Sequence, residues 1–328
     1  MSLARTTQQQ EKASLASVFL RFVGILLFLA LVGSLVWSLS VTSGIDAFET
    51  LVPADIAPGV VVTLPDGQAI HYQEVGSGPP ILLLHDFDVA GGYQWQEVAA
   101  SLSGYRVIIP DQADFGFSER LTEQSRQHTI VGRAATMAAL FAELEIERAH
   151  VVGAGLGGTV AAQMAVDTPE MVERLVLIAP EIYEPPPTWT EFLYRLPLIG
   201  PALTYTTLGG GSRAVTNYSA DCGAGWCPES VDLEYRQAAA MVQGTTAALV
   251  AMAATPGAAT VPAKLSAIAA LTLIIWGEND QVTSLADGRS LDEAVPDSTM
   301  EVLPATGHRP QLEDPAATAA LIAEFLAS

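Results

Sequence analysis

Short continuous apolar runs alternate along the chain with stretches of helical period. The runs are ILLLH (81–85), RVIIPD (106–111), HVVGA (150–154), RLVLIAP (174–180), LTLIIWG (271–277) and MEVLP (300–304). A strand covered by helices on both faces has no polar side to display, so it reads as an unbroken apolar run. Two earlier strands, near 60–64 and 69–75, flank Pro65-Asp66-Gly67, which is hairpin turn chemistry. Helical patterns fall near 94–102, 129–145, 156–172, 284–294 and 315–327. The order predicts an α/β domain: an eight-stranded, mostly parallel sheet with helices on both faces. Between about 181 and 264 the period breaks into EPPP, WTEFLY and a GGG run. The alternation resumes at Leu271, so this stretch is expected to be an inserted lid.

The N-terminus follows different rules. From 22 to 41, FVGILLFLALVGSLVWSLSV runs without a charge, and about 20 apolar residues are what a helix needs to cross the hydrocarbon core. Arg5, Lys12 and Arg21 precede it against a single acid, Glu11, and the next basic residue is Arg106. The positive-inside rule then leaves the N-terminus cytoplasmic and the main domain extracytoplasmic, on a single-pass anchor. A cleaved signal peptide is the rival reading, but its apolar region is usually only about 7 to 15 residues. The expected organisation is a cytoplasmic segment 1–21, a transmembrane anchor 22–41, a linker 42–58 and an α/β domain 59–328.

Charge narrows the partners. The 328 residues carry 36 acidic against 15 basic side chains, a formal net charge of -21, so a phosphate backbone is repelled and nucleic acid is not an expected partner. The only cysteines, Cys222 and Cys227, are close enough to pair in an oxidising compartment. No histidine stands near them to complete a metal set, and neither a metal nor a cofactor is expected.

Four separated motifs carry the candidate chemistry. His85-Asp86-Phe87 ends a strand, with Trp95 further on; DQADFGFS spans 111–118; Gly153-Ala154-Gly155-Leu156-Gly157 joins a strand to a helix; and Asp280 in WGENDQV precedes His308 in TGHRPQLEDP. Together they resemble the α/β-hydrolase superfamily over roughly 59–327. The resemblance implies oxyanion-hole amides at Phe87 and Leu156, a pocket beside His85, Asp86 and Trp95, and Asp280 and His308 as acid and base. Gly153, Gly155 and Gly158 also satisfy a dinucleotide-binding spacing, but that fingerprint belongs to the first βα unit of its fold and this one follows several strands.

The departure from the family lies at 155, where glycine takes the nucleophilic serine's place. Without a side chain to attack, the serine triad cannot run. Asp86 stands where the family has glycine, and a carboxylate there opposes developing negative charge if it points inward. Glycine also relieves backbone strain at the elbow. The primary expectation is a membrane-anchored domain without serine-hydrolase activity that binds a small apolar or ester-like molecule or an unidentified protein partner. The alternative is an enzyme using the Asp280/His308 dyad without a covalent intermediate, and a third reading makes the chain one subunit of a complex whose activity lies in a partner. Asp86 and Asp114 are candidate relocated nucleophiles, but neither occupies the elbow and surface or turn roles are expected for both. Thr159, His71, His128 and His150 are read as structural.

Overall fold

The structure is a computed structural model, and it describes residues 2–52, 59–183, 189–196, 199–209, 230–255 and 261–328. After helix α1 (Ser2–Phe48) come strands β1 (Val60–Thr63), β2 (Ala69–Gly76) and β3 (Pro80–Leu84), helix α2 (Gln96–Ser101), β4 (Arg106–Pro110), α3 (Ile130–Glu143), β5 (Ala149–Ala154), α4 (Leu156–Asp167) and β6 (Val172–Ile178). The insertion holds α5 (Trp189–Tyr194), α6 (Gly200–Thr204), α7 (Ser230–Ala240) and α8 (Thr245–Ala254). The chain then closes with β7 (Leu271–Gly277), α9 (Leu285–Ala294), β8 (Ser298–Leu303), α10 (Pro310–Glu313) and α11 (Pro315–Ala327).

All eight strands form one sheet in the order β1-β2-β4-β3-β5-β6-β7-β8. The β1–β2 and β2–β4 pairs are antiparallel and the others parallel. The fold class read from the apolar pattern is therefore the one observed. Period-2 alternation divides the central strands between two cores. From β3, Leu82 and Leu84 join Met137, Leu140 and Phe141 of α3 and Val160 and Met164 of α4. Ile81 and Leu83 face the other way, with Trp95, Val98 of α2 and Ile322 and Leu326 of α11. Both faces are covered, which is why the strands carry no polar stripe. The helix starts follow ordinary capping: Thr129, Ser284 and Asp314 each accept a backbone N–H of the helix they precede.

Two expectations about the N-terminal region meet the structure differently. One helix, long and apolar enough to cross a membrane, spans Val18–Phe48 within α1. The stretch expected to be a linker from 42 is still helical as far as Phe48. Nothing in 42–48 breaks a helix, and the apolar spacing continues until Phe48 packs edge-on against Tyr205 at 5.9 Å between ring centroids. Glu49 then accepts bonds from Gly244 N (3.1 Å) and Thr246 N (2.8 Å) at the start of α8, and Leu51 bridges to Val242. The helix thus leads directly onto the insertion. Beside this junction lies a cavity of about 760 Å³, lined by Ile45 and Glu49 on one side and Thr246, Val250 and Ala251 on the other. Residues 53–58, and Cys222 and Cys227 with their expected pairing, lie outside the described residues.

Candidate functional site

Five strand ends, those of β3, β5, β6, β7 and β8, and the loops that follow them converge at the elbow. Gly155, between β5 and α4, has φ 50° and ψ -118°, a backbone that side-chain-bearing residues adopt only at a cost. Its carbonyl accepts from Thr159 N (3.1 Å) and Glu181 N (3.2 Å), and its own N–H donates to Ile178 O (3.0 Å), so the turn is fixed by its neighbours. A Cβ built on Gly155 would overlap the carboxylate of Asp86.

Asp86 comes from the loop after β3 and is 2% exposed. Its Oδ1 accepts from Phe87 N at 2.7 Å and from Leu156 N at 3.1 Å. These are the two amides that the family resemblance implied for an oxyanion hole. The surface or turn role favoured for Asp86 is thereby corrected: a carboxylate satisfies both amides and takes the space a nucleophile at 155 would need. The physical reason is reciprocal, because removal of the side chain at 155 leaves room and an anion meets two inward-pointing N–H donors.

His308, at the end of the loop after β8, completes the expected pair. Its Nδ1 lies 2.9 Å from Asp280 Oδ2, and Thr283 Oγ1 donates to the same oxygen at 2.7 Å. Asp280 Oδ1 accepts from Val282 N and Thr283 N at 2.8 and 3.0 Å, which fixes the acid's orientation. Burial pushes the Asp280 carboxyl up, yet the hydrogen bonds from His308 and Thr283 outweigh it and hold it below the usual value. Burial pulls His308 down, and the Asp280 hydrogen bond with the charges of Asp86, Asp280 and Glu181 more than reverses this. Its Nε2 is buried without a hydrogen-bond partner and lies 3.7 Å from Asp86 Oδ2. Arg309 Nε reaches the same Asp86 oxygen at 3.4 Å.

One group at this site was missed by sequence reasoning. Glu181, just after β6, falls at the first position of the expected lid, and no motif marks it. Burial first, then the negative charge of Asp86, push its carboxyl up to about 7. A carboxyl that binds its proton more tightly folded than unfolded adds stability below its ordinary 4.5 and loses it as pH rises through about 7. His308, also raised, acts in the same direction. Thermal unfolding of the chelator-treated chain is therefore expected to shift to lower temperature as pH rises across that window. Glu181→Gln should flatten the profile, and an unchanged profile in that variant would contradict the assignment.

The remaining residues take other roles. His85 lies behind the loop rather than in a pocket, with Nδ1 donating to Asp86 O and Nε2 accepting from Gln112 N, at 2.7 and 2.8 Å. Trp95 is fully buried in the core under the sheet, so its expected pocket position is corrected. Asp114 sits in a turn at φ 76° and is buried rather than on the surface: it accepts from Leu121 N at 2.8 Å and lies within 3.4 Å of Arg133 and His128. His71 pairs with Asp111 (2.7 Å), and His150 is buried beside Tyr105.

Comparison with known proteins agrees with the fold. Residues 79–315 match the alpha/beta hydrolase fold family. The chain is 29% identical over 286 residues to 2-hydroxymuconate semialdehyde hydrolase of Pseudomonas sp. (strain CF600), covering 83% of this chain and 92% of that one. It is 25% identical over 283 residues to 2-hydroxy-6-oxononadienedioate/2-hydroxy-6-oxononatrienedioate hydrolase of Cupriavidus pinatubonensis, covering 81% and 94%. Among solved structures it is similar to a meta-cleavage product hydrolase, CumD, with TM-score 0.66 and 24% identity over 82% of this chain and 98% of that one. A membrane phospholipase A, a bacterial virulence factor, aligns with TM-score 0.67 and 23% identity over 93% and 97%. The chain belongs to the alpha/beta hydrolase fold family.

Proposed function

We propose that the chain is a membrane-anchored hydrolase-fold protein without serine-hydrolase activity that acts as a small-molecule binding domain. The observation that carries this reading is Asp86, whose carboxylate satisfies the Phe87 and Leu156 amides and fills the space beside Gly155. With no nucleophile at 155 and an anion already in the oxyanion hole, a tetrahedral acyl intermediate has neither an origin nor a stabiliser. Two of the similar relatives are hydrolases whose substrates are by name dioates. An elbow holding Asp86, Glu181 and Asp280 disfavours such an anion, so those substrates are not carried over. The cavity beside the end of α1, lined partly by Ile45, Val250 and Ala251, supports an apolar ligand drawn from the membrane side. The anchor, with the main domain extracytoplasmic, rests on the apolar helix and the basic residues that precede it.

The test is to expose the full chain in detergent to a fluorophosphonate probe and a panel of simple esters. No labelling and no turnover above that of His308→Ala is expected. The second reading, an enzyme working through His308 and Asp280, is favoured by the 2.9 Å dyad and the unbonded Nε2 aimed at the elbow. Turnover that vanishes in His308→Ala without fluorophosphonate labelling would select it.

A further inference from the structure

We infer that Asp86, Glu181 and His308 form a divalent-cation site, best suited to zinc. One ligand atom from each residue can be chosen so that all three lie within 4.8 Å of one another. Tetrahedral ligands at about 2.0–2.2 Å from a common ion stand roughly 3.3 to 3.6 Å apart, so closure of this triad by up to about 1.5 Å reaches bonding geometry. The His308 Nε2 to Asp86 Oδ2 separation, 3.7 Å, is already close to that range.

A second observation points to a ligand independently of the acids. His308 Nε2 is buried and without a hydrogen-bond partner, in a side chain only 9% exposed, and it faces Asp86. The other ring nitrogen is held by Asp280 at 2.9 Å. A carboxylate on one imidazole nitrogen that leaves the other free for a metal is how ligating histidines are oriented. Asp86 is similarly fixed, since the Phe87 and Leu156 amides hold Oδ1 while Oδ2 faces the imidazole.

Charge supports the same occupant. The carboxylates of Asp86, Glu181 and Asp280 stand against one guanidinium, Arg309, 3.4 Å from Asp86 Oδ2. Once a metal displaces the protons held by Glu181 and His308, these groups, among the described residues, leave two negative charges, which a divalent cation neutralises. One imidazole nitrogen with two carboxylate oxygens suits zinc or manganese, whereas calcium and magnesium take oxygen ligands. Three protein ligands also leave a coordination position for a water or a ligand donor. The inference rests on the reading of the chain as a protein without serine-hydrolase activity, and it gives the Asp280/His308 dyad a use that needs no serine.

The test is calorimetric titration of the full chain in detergent with Zn²⁺, after removal of metal by chelator and dialysis. One equivalent is expected to bind. His308→Ala and Glu181→Gln should each weaken it at least about 100-fold, and Asp280→Asn about 10- to 100-fold with the stoichiometry kept. Circular dichroism checks that the variants fold. X-ray absorption of the loaded wild type provides a readout independent of them, with nitrogen and oxygen but no sulfur expected around zinc. The inference is overturned by no stoichiometric binding, by binding unchanged in His308→Ala, or by sulfur in the shell, which would point to Cys222 and Cys227. Each of those results leaves the expected fluorophosphonate inertness untouched, so the two readings fail separately.

Discussion

The double variant Asp86→Gly with Gly155→Ser is expected to gain a fluorophosphonate-reactive serine and measurable esterase activity, while Gly155→Ser alone stays inert. In the single variant the new Cβ overlaps the Asp86 carboxylate, so the side chain and the acid compete for one volume. The serine also inherits a backbone at φ 50°, which costs about 1–3 kcal/mol. Even a serine that found room would face Phe87 and Leu156 amides that already serve a carboxylate. Replacing Asp86 with glycine frees both amides, and each such donor contributes about 100- to 1,000-fold in rate. His308 and Asp280 stand ready, at 2.9 Å, to act as base and orienting acid. Labelling and p-nitrophenyl ester turnover of both single variants and the double distinguish the cases. Equal labelling of Gly155→Ser alone would refute the proposed role of Asp86 as the block.

The second large effect is on stability. Asp111→Ala should lower the unfolding free energy by about 3–5 kcal/mol, the usual cost of removing one partner from a buried charged network. Asp111 is 1% exposed and bonds His71 Nδ1 (2.7 Å), Gly92 N (2.7 Å) and Phe117 N (2.8 Å), joining β2 to two loops of the site end. Alanine leaves the imidazole and both amides without their acceptor in the interior. The same contacts explain a glycine in the DQADFGFS motif: at φ 51°, a Cβ on Gly116 would collide with the Asp111 carboxylate. Denaturant unfolding of the full chain measures the loss, and a change below about 1 kcal/mol would show the network to be dispensable.

The sheet was legible because burial on both faces leaves a direct mark on the sequence. ILLLH and LTLIIWG cannot be solvated, and they became β3 and β7 in the centre and near the edge of the sheet. The dyad was legible as well, since each member sits in a motif after a strand, and the two meet as the resemblance implied. What escaped the sequence depends on approach through space. Asp86 reaches Leu156, 70 residues away in the chain, and no local pattern records that contact. Glu181 acquires its significance only because the end of β6 brings it beside Asp86 and His308. Trp95 reads equally well as pocket or core until the packing of α2 and α11 decides it. The end of α1 was not legible for a related reason: Gly44 and its polar neighbours read as a linker, yet the helix runs on to Phe48, where the insertion supplies partners for Phe48 and Glu49.

The account depends on one carboxylate occupying two backbone amides, and amide NMR of the isotope-labelled chain tests this most directly. In the wild type the Phe87 and Leu156 N–H protons should resonate downfield and exchange slowly with solvent, as charge-assisted donors do. In Asp86→Gly both should move upfield and exchange faster, while the amides that bond Asp280, those of Val282 and Thr283, stay unchanged. If the Phe87 and Leu156 signals were the same in the two proteins, the carboxylate would not hold the oxyanion hole.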